Sequence, residues 1–476
     1  MPACASALAD LATLVRFASI SSDPRRAQDV RRCARWVADR CARAGFARVG
    51  VIGGRRHPLV VAEDRRAAGR PTVLLYGHYD VQPPGSRAQW RTPPFTPTLC
   101  GADLHGRGAS DDKGQLLCQL LGVETLRRHG RLAVNVVLIA DGEEEVGSPS
   151  LPALLARRVP TWRPQAAIIC DTRMFAPGHP ALTVGLRGSL ALEIAVEGPP
   201  AELHSGQFGG AVHNPLQVLC EALAALHDRR GRIAVPGFYD EVRPRPSGRP
   251  PVTDAAVLSQ AGVAHGFGEE GFSAYERVTV RPSLTIAGVT GGHQGHGVKS
   301  IIPARASAKL SLRLVPNQSP ERAEHQLRGR LRTLMPPTVR WRLERESASR
   351  PVLLDSHDVA HQAAARACRR VWHTEPVLLR SGGSIPLVDL LARRHALPTV
   401  LLGFALPDDG AHAPNEKFHV PHLDLGARTI AVFLDEMART GSRPTRGPAQ
   451  GRRPSRHLSR SPGFGARRWS RATSVS

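Results

Sequence analysis

The sequence predicts an α/β fold: a mixed, mostly parallel central sheet flanked by helices, with a ferredoxin-like α+β unit inserted into it. Two observations carry this. Three short apolar runs, Val73–Tyr76, Val134–Ala140 (interrupted only by Asn135) and Ala166–Cys170, stand between helix-spaced segments, as strands buried on both faces of a parallel sheet do. From Gly188 the pattern becomes an alternation in the order β-α-β-β-α-β, and near Pro351 the first pattern resumes.

Taken in order, Ala5 to Phe17 places Leu8, Leu11, Leu14 and Val15 at helical spacing with no basic stretch before it, which predicts a packing helix rather than a signal peptide. A second helix is expected over 24–45, then strands at Arg48–Ile52 and Leu59–Ala62. The run Val73–Tyr76 is broken by Gly77 and followed by His78 and Asp80. Residues two apart in extended chain point the same way, so both can reach one point. After a Pro- and Gly-rich loop, Gly106-Arg107-Gly108 leads to Asp111-Asp112-Lys113-Gly114 and a helix ending at Gly130. Asp111 therefore falls at or just before a helix start, where aspartate is also an ordinary N-cap. Val134–Ala140 runs into Asp141, Gly142 and the triplet Glu143-Glu144-Glu145, and Ala166–Cys170 ends at Asp171.

Ligands of open α/β sheets bind beyond the carboxyl ends of the strands, so these clusters should converge. So many carboxylates together would be driven to keep their protons unless a cation neutralised them. The expectation is a site for one or two divalent ions.

In the inserted unit, Leu190, Leu192, Ile194 and Val196 alternate, 215–226 is helical, 284–287 and 306–314 are strands, Ser319-Pro320-Glu321 opens a helix, and Val339, Trp341 and Leu343 alternate again. The parent unit then supplies a helix at 361–371, the Ser381-Gly382-Gly383-Ser384 loop, a strand at 399–403 and the segment Ala411 to Glu416. The expected organisation is a first part of the α/β unit over 1–187, the inserted domain over 188–349, a second part of the α/β unit over 350–440, and a basic tail over 441–476. That tail holds nine arginines and no acid among many Ser, Pro and Gly, too polar to bury a core, and is expected to be disordered.

The 476-residue chain has a formal net charge of +23, but only four of its 64 basic residues are lysines, a skew that reads as codon bias rather than a nucleic-acid-binding code. Nucleic acid is not an expected partner, with the tail as the one plausible polyanion contact. The eight cysteines show no Cys-x-x-Cys spacing and read as reduced thiols, and no run approaches the ~18 apolar residues of a membrane span. A cytoplasmic location follows as the expectation.

Seven motifs carry a resemblance: Gly77-His78-Tyr79-Asp80-Val81-Gln82-Pro83; Gly106-Arg107-Gly108 through Asp111-Asp112-Lys113-Gly114; Glu144-Glu145-Val146-Gly147-Ser148; Asp171; His204-Ser205-Gly206; Arg313-Leu314-Val315-Pro316-Asn317; and His412 with Asn415-Glu416. In this order the chain resembles the di-metal aminopeptidase-like family of carnosinases, aminoacylases, succinyl-diaminopimelate desuccinylase and carboxypeptidase G. It is most similar to the cytosolic non-specific dipeptidase branch, over roughly Leu8 to Glu436.

The resemblance implies a metallopeptidase domain in which His78, Asp111, Glu145, Asp171 and His412 hold two divalent ions, zinc first, with manganese or cobalt as alternatives. Asp80 would orient His78, and Glu144 would be the general base; register against Gly147-Ser148 selects it over Glu143. His204 would reach the partner's site in a homodimer formed through the inserted domain and stabilise the oxyanion, while Arg313, with Ser384 and Ser300, would bind the substrate. Ser300 stands where that branch usually has threonine, which keeps the hydroxyl. The implied substrate is a dipeptide or short peptide with a free carboxylate; an N-acyl amino acid is the alternative. The loop holding His293 and His296 is unlike the family pattern.

Overall fold

Residues 2–244 and 250–440 are described by the computed structural model; the basic segment 441–476, expected to be disordered, lies outside the described residues. The central sheet has six strands in the order Arg48–Ile52, Leu59–Asp64, Asn135–Asp141, Thr72–His78, Ala166–Ile169 and Thr399–Leu401. The first two pairings are antiparallel and the remaining three parallel. Thr72–His78 and Asn135–Asp141 are buried along their whole length. Alternation explains why: Val73 and Leu75 join one core, Leu74 and Tyr76 the other, so a central strand must be apolar at every position.

Helices cover both faces. Gly114–Arg128, Val359–Trp372 and Pro421–Thr440 pack on one, together with Leu11 and Leu14 of the first helix, Pro2–Arg16. Leu151–Trp162 and Pro386–His395 cover the other. Gly122 and Gly426 let two of these helices cross closely: a Cβ on Gly122 would sit 2.8 Å from Ala427 O, and one on Gly426 would sit 2.7 Å from Cys118 Sγ.

The second sheet is antiparallel, in the order Ser283–Gly291, Arg305–Leu314, Gly188–Glu197, Arg340–Ser349. This is the ferredoxin-like arrangement expected, with helices Pro215–Ala224 and Pro320–Leu334 contributing to a core of its own. The long connection between the first helix and second strand holds Asp254–Ala261 and Ala274–Thr279, the latter opened by a capping box of Ser273 and Glu276. The chain enters and leaves side by side: a Cβ on Gly188 would lie 2.6 Å from both Pro351 N and Ser349 O. No helix among the described residues is long and apolar enough to cross a membrane.

Candidate metal centre

His78 ends the central strand, and the residue before it must be small: a Cβ on Gly77 would come within 2.6 Å of Asp112 Oδ2. That same oxygen accepts from the His78 N–H at 3.0 Å, fixing the strand end. His78 Nδ1 lies 3.1 Å from the Asp80 carbonyl oxygen, which can only accept, so Nε2 is the nitrogen free to offer a lone pair. Nε2 is 2.9 Å from Asp111 Oδ1 and 3.9 Å from Asp171 Oδ1. On the far side of Asp111, its Oδ2 lies 3.0 Å from His412 Nε2, which is also 3.2 Å from Glu145 Oε1.

The five expected ligands thus fall into two triads, His78-Asp111-Asp171 and Asp111-Glu145-His412, with the donor atoms of each within 4.8 Å of one another. Asp111 belongs to both, one oxygen to each. Its carboxylate is not spent on capping: no side chain caps the helix that begins at Gly114, and both Asp111 oxygens face the imidazoles instead. The Asp111–Asp112 peptide is cis. His412 has a φ of 64, a left-handed backbone that histidine tolerates better than most residues.

The electrostatics favour positive charge here. Burial works to lower His78, but the neighbouring carboxylates of Asp111, Asp171 and Asp80 outweigh it and raise the imidazole well above its ordinary range. Hydrogen bonds to Asp111 and Glu145 push His412 up to about 10. Burial raises Asp171 to about 6. For Asp111 burial works upward too, yet the two imidazoles hold its carboxyl below the usual range. Glu145 Oε1 is buried, takes no well-aligned hydrogen bond and faces only the His412 Nε2 at 3.2 Å among the described residues. A carboxylate oxygen left so beside a second ligand fits a cation, and the mixed imidazole and carboxylate donors fit a divalent metal.

The glutamate triplet divides by surroundings. Glu143 is fully buried and accepts from the backbone N–H groups of Arg56 (2.6 Å), His57 (2.9 Å) and Ser150 (3.1 Å), so its carboxylate is occupied by structure. Glu145 accepts from Gln82 Nε2 at 2.7 Å and turns its other oxygen to His412. Glu144 has no side-chain hydrogen bond or ion pair among the described residues, and burial raises its carboxyl well above the ordinary value. Asp80, whose Oδ1 is 3.4 Å from His78 Nδ1, accepts from the Glu144 and Glu145 amides at 3.2 and 3.0 Å, tying this turn to the strand end.

With the geometry in place, comparison with known proteins identifies the family. The sequence profile of peptidase family M20/M25/M40 matches residues 74–436. The chain belongs to this peptidase family. Among curated relatives, the Cys-Gly metallodipeptidase DUG1 of Candida albicans is 32% identical over 392 residues, 79% of this chain and 81% of that protein. The human Beta-Ala-His dipeptidase is 31% identical over 453 residues, 90% of this chain and 89% of that one. Among solved structures, the dipeptidase Dug1p of Saccharomyces cerevisiae superposes with a TM-score of 0.80 at 27% identity over 91% of this chain and 96% of its own. Human carnosine dipeptidase 1 does so with 0.77 at 30% over 92% and 96%. The protein is therefore a metallopeptidase-type hydrolase of the M20 family.

The remaining expected site residues form two groups, neither hydrogen-bonded to a triad residue among the described residues. Arg313 Nη1 donates to Ser384 Oγ at 3.1 Å, and Ser384 Oγ donates to Arg187 O at 2.5 Å. His204 is exposed on a two-stranded pairing of Leu203–His204 with Ile301–Ile302, and Ser300 is exposed just before the second of these strands; His204 Nδ1 accepts from Gly206 N at 3.0 Å, and Ser300 O from Ser205 N at 3.1 Å. His293 is likewise exposed, its Nε2 3.2 Å from His296 O. Sequence reasoning missed the supporting roles of Asp112, Lys113, Gln82 and Glu416. The signal for the first two was present in the polar run Asp111-Asp112-Lys113, which precedes a buried helix and has to be buried with it.

Proposed function

We propose that this M20 hydrolase cleaves the peptide bond of dipeptides or short peptides that carry a free C-terminal carboxylate. The observation that carries the reading is the pair of triads sharing Asp111, with the unengaged Glu144 carboxylate beside them. His78, Asp111 and Asp171 would hold one divalent cation and Asp111, Glu145 and His412 a second, zinc first, with manganese or cobalt as alternatives. Such ions, when bound, supply Lewis acidity that acidifies water and polarises the scissile carbonyl. Glu144 takes the proton from the attacking water and delivers it to the leaving amine nitrogen; its raised affinity for protons suits the second half of that task. Asp80 keeps both His78 and the 144–145 turn in place. Arg313, half-buried and without a carboxylate partner among the described residues, would grip the substrate's free carboxylate, with Ser384 steering its guanidinium.

In the same reading the chain is a homodimer, and His204 of one protomer completes its partner's site with Ser300 nearby. Two observations support this: the His204 side chain is exposed and among the described residues is engaged only by Gly206 N of its own loop, and the edge strand Ser283–Gly291 leaves Ile286 and Val289 in solvent. Free, buried Cys33, Cys41, Cys118, Cys170 and Cys368 suit a cytoplasmic, reducing environment. The dipeptidase names of the curated relatives favour peptides over N-acyl amino acids.

The test is an assay of metal-stripped protein on dipeptides and on N-acetyl or N-succinyl amino acids. Hydrolysis should vanish on chelation and return for the dipeptides with zinc, manganese or cobalt at about two ions per chain. Full activity after stripping would sink the metal reading, and turnover of the N-acyl substrates alone would replace the peptidase by a deacylase.

A further inference from the structure

We propose that Glu416 is a positioning residue that sets the metal affinity of the Asp111-Glu145-His412 pocket. The inference rests on the two-metal reading above. Glu416 is fully buried, and each of its carboxylate oxygens accepts two hydrogen bonds. Oε1 takes the backbone N–H groups of Ser110 (2.9 Å) and Asp111 (3.0 Å), and Oε2 takes the Gly108 N–H and Arg107 Nη1, both at 2.8 Å. All four donors lie in the five residues that end at Asp111. The same two segments are joined again by the Gly106 N–H on Glu416 O (2.9 Å) and by Asp409 Oδ2, which accepts from Ser110 Oγ (3.2 Å) and the Leu406 N–H (2.7 Å).

The loop that carries Asp111 is thus fastened to the loop that carries His412, four residues before Glu416. The two metal pockets depend on this fastening unequally. Asp111 and His412, two of the three groups in one pocket, ride on the fastened loops; in the other pocket only Asp111 does, while His78 and Asp171 stand at the ends of paired core strands. A glutamine at 416 keeps the shape but turns an NH₂ toward N–H donors, so one pair of bonds is lost and that end is repelled.

The test is titration of metal-stripped protein with zinc or manganese against a competing chelator, using wild type, Glu416→Gln, Arg107→Met and, as a control, Leu331→Ala in the core of the inserted unit. The variant His412→Gln identifies which binding step belongs to the Asp111-Glu145-His412 pocket. In Glu416→Gln that step should weaken by about 10- to 100-fold and the other by less. Arg107→Met should shift it in the same direction, and Leu331→Ala should lower the unfolding temperature while leaving both steps unchanged. Wild-type affinities in both Glu416→Gln and Arg107→Met overturn the proposal, as does an equal weakening of the two steps. Should Glu416→Gln not fold, Arg107→Met decides alone. A wild-type chain that takes up fewer than two ions overturns the underlying metal reading instead, which separates the two failures.

Discussion

Glu143, Glu144 and Glu145 are consecutive acids that meet three different surroundings, and substitution should separate them. Glu144→Gln retains shape but cannot accept a proton, so kcat should fall by at least about 10² with both ions retained. Glu143→Gln should instead lower the unfolding temperature, because the amides of Arg56, His57 and Ser150 lose part of a shared acceptor, a cost of about 1 to 3 kcal/mol. A mild Glu144→Gln with a crippling Glu143→Gln would show the assignment to be off by one. The triplet itself was plain in the sequence, as were His78, Asp111 and Asp171, whereas His412 entered only through the family resemblance. What spacing alone could not decide was which glutamate is occupied, because two of the partners that occupy Glu143 come from residues 56 and 57, far away along the chain. Glu416 was hidden for the same reason: three of its four partners are backbone amides, and amides leave no trace in a sequence.

At the scale of elements, the strands were the most legible part, since burial on two faces demands continuous apolar runs and burial on one face demands alternation. The helix Pro421–Thr440 was not foreseen, although it is the longest among the described residues. It buries His422, Thr429 and Glu436 along with its apolar residues, so no clean stripe marks it. Its crossing with Gly114–Arg128 provides a test in which two effects oppose. Alanine is favoured over glycine in a helix by about 1 kcal/mol, yet a Cβ at 122 would press on Ala427 O and Ile430, both at 2.8 Å. Overpacking costs about 1 to 3 kcal/mol, so Gly122→Ala should be destabilising in denaturant unfolding. A stabilised variant would mean the two helices can separate freely.

For the whole molecule, the insertion was readable because its alternating strands interrupt a pattern that later resumes, and the resumption supplies the last strand of the first sheet, Thr399–Leu401 beside Ala166–Ile169. Assembly was not readable from residue patterns, since an edge strand looks alike whether it meets water or a twin. If His204 serves its partner's site, homodimers of His204→Ala and of Glu144→Gln should each be nearly inactive. A mixed dimer keeps one complete site: the His204→Ala chain has its own Glu144 and receives the intact His204 opposite. Random reassociation of equal amounts makes half the dimers mixed, so activity should return to roughly a quarter of wild type. No recovery after verified subunit exchange would place His204 within its own chain or outside catalysis.

Lys113, two residues beyond Asp111, is wholly buried, and its Nζ donates to Leu14 O at 3.0 Å and Phe17 O at 2.8 Å, at the end of the first helix. If that helix detached, the ammonium would lose both acceptors inside the protein, a state costly enough that the loop would have to open with it. The two segments should therefore behave as one cooperative unit of local unfolding despite the ninety-odd residues between them. In hydrogen–deuterium exchange the last turn of the first helix and residues 109–114 should lose protection at a common rate. Exchange at the helix alone, with 109–114 still protected, would show that the amine finds other acceptors.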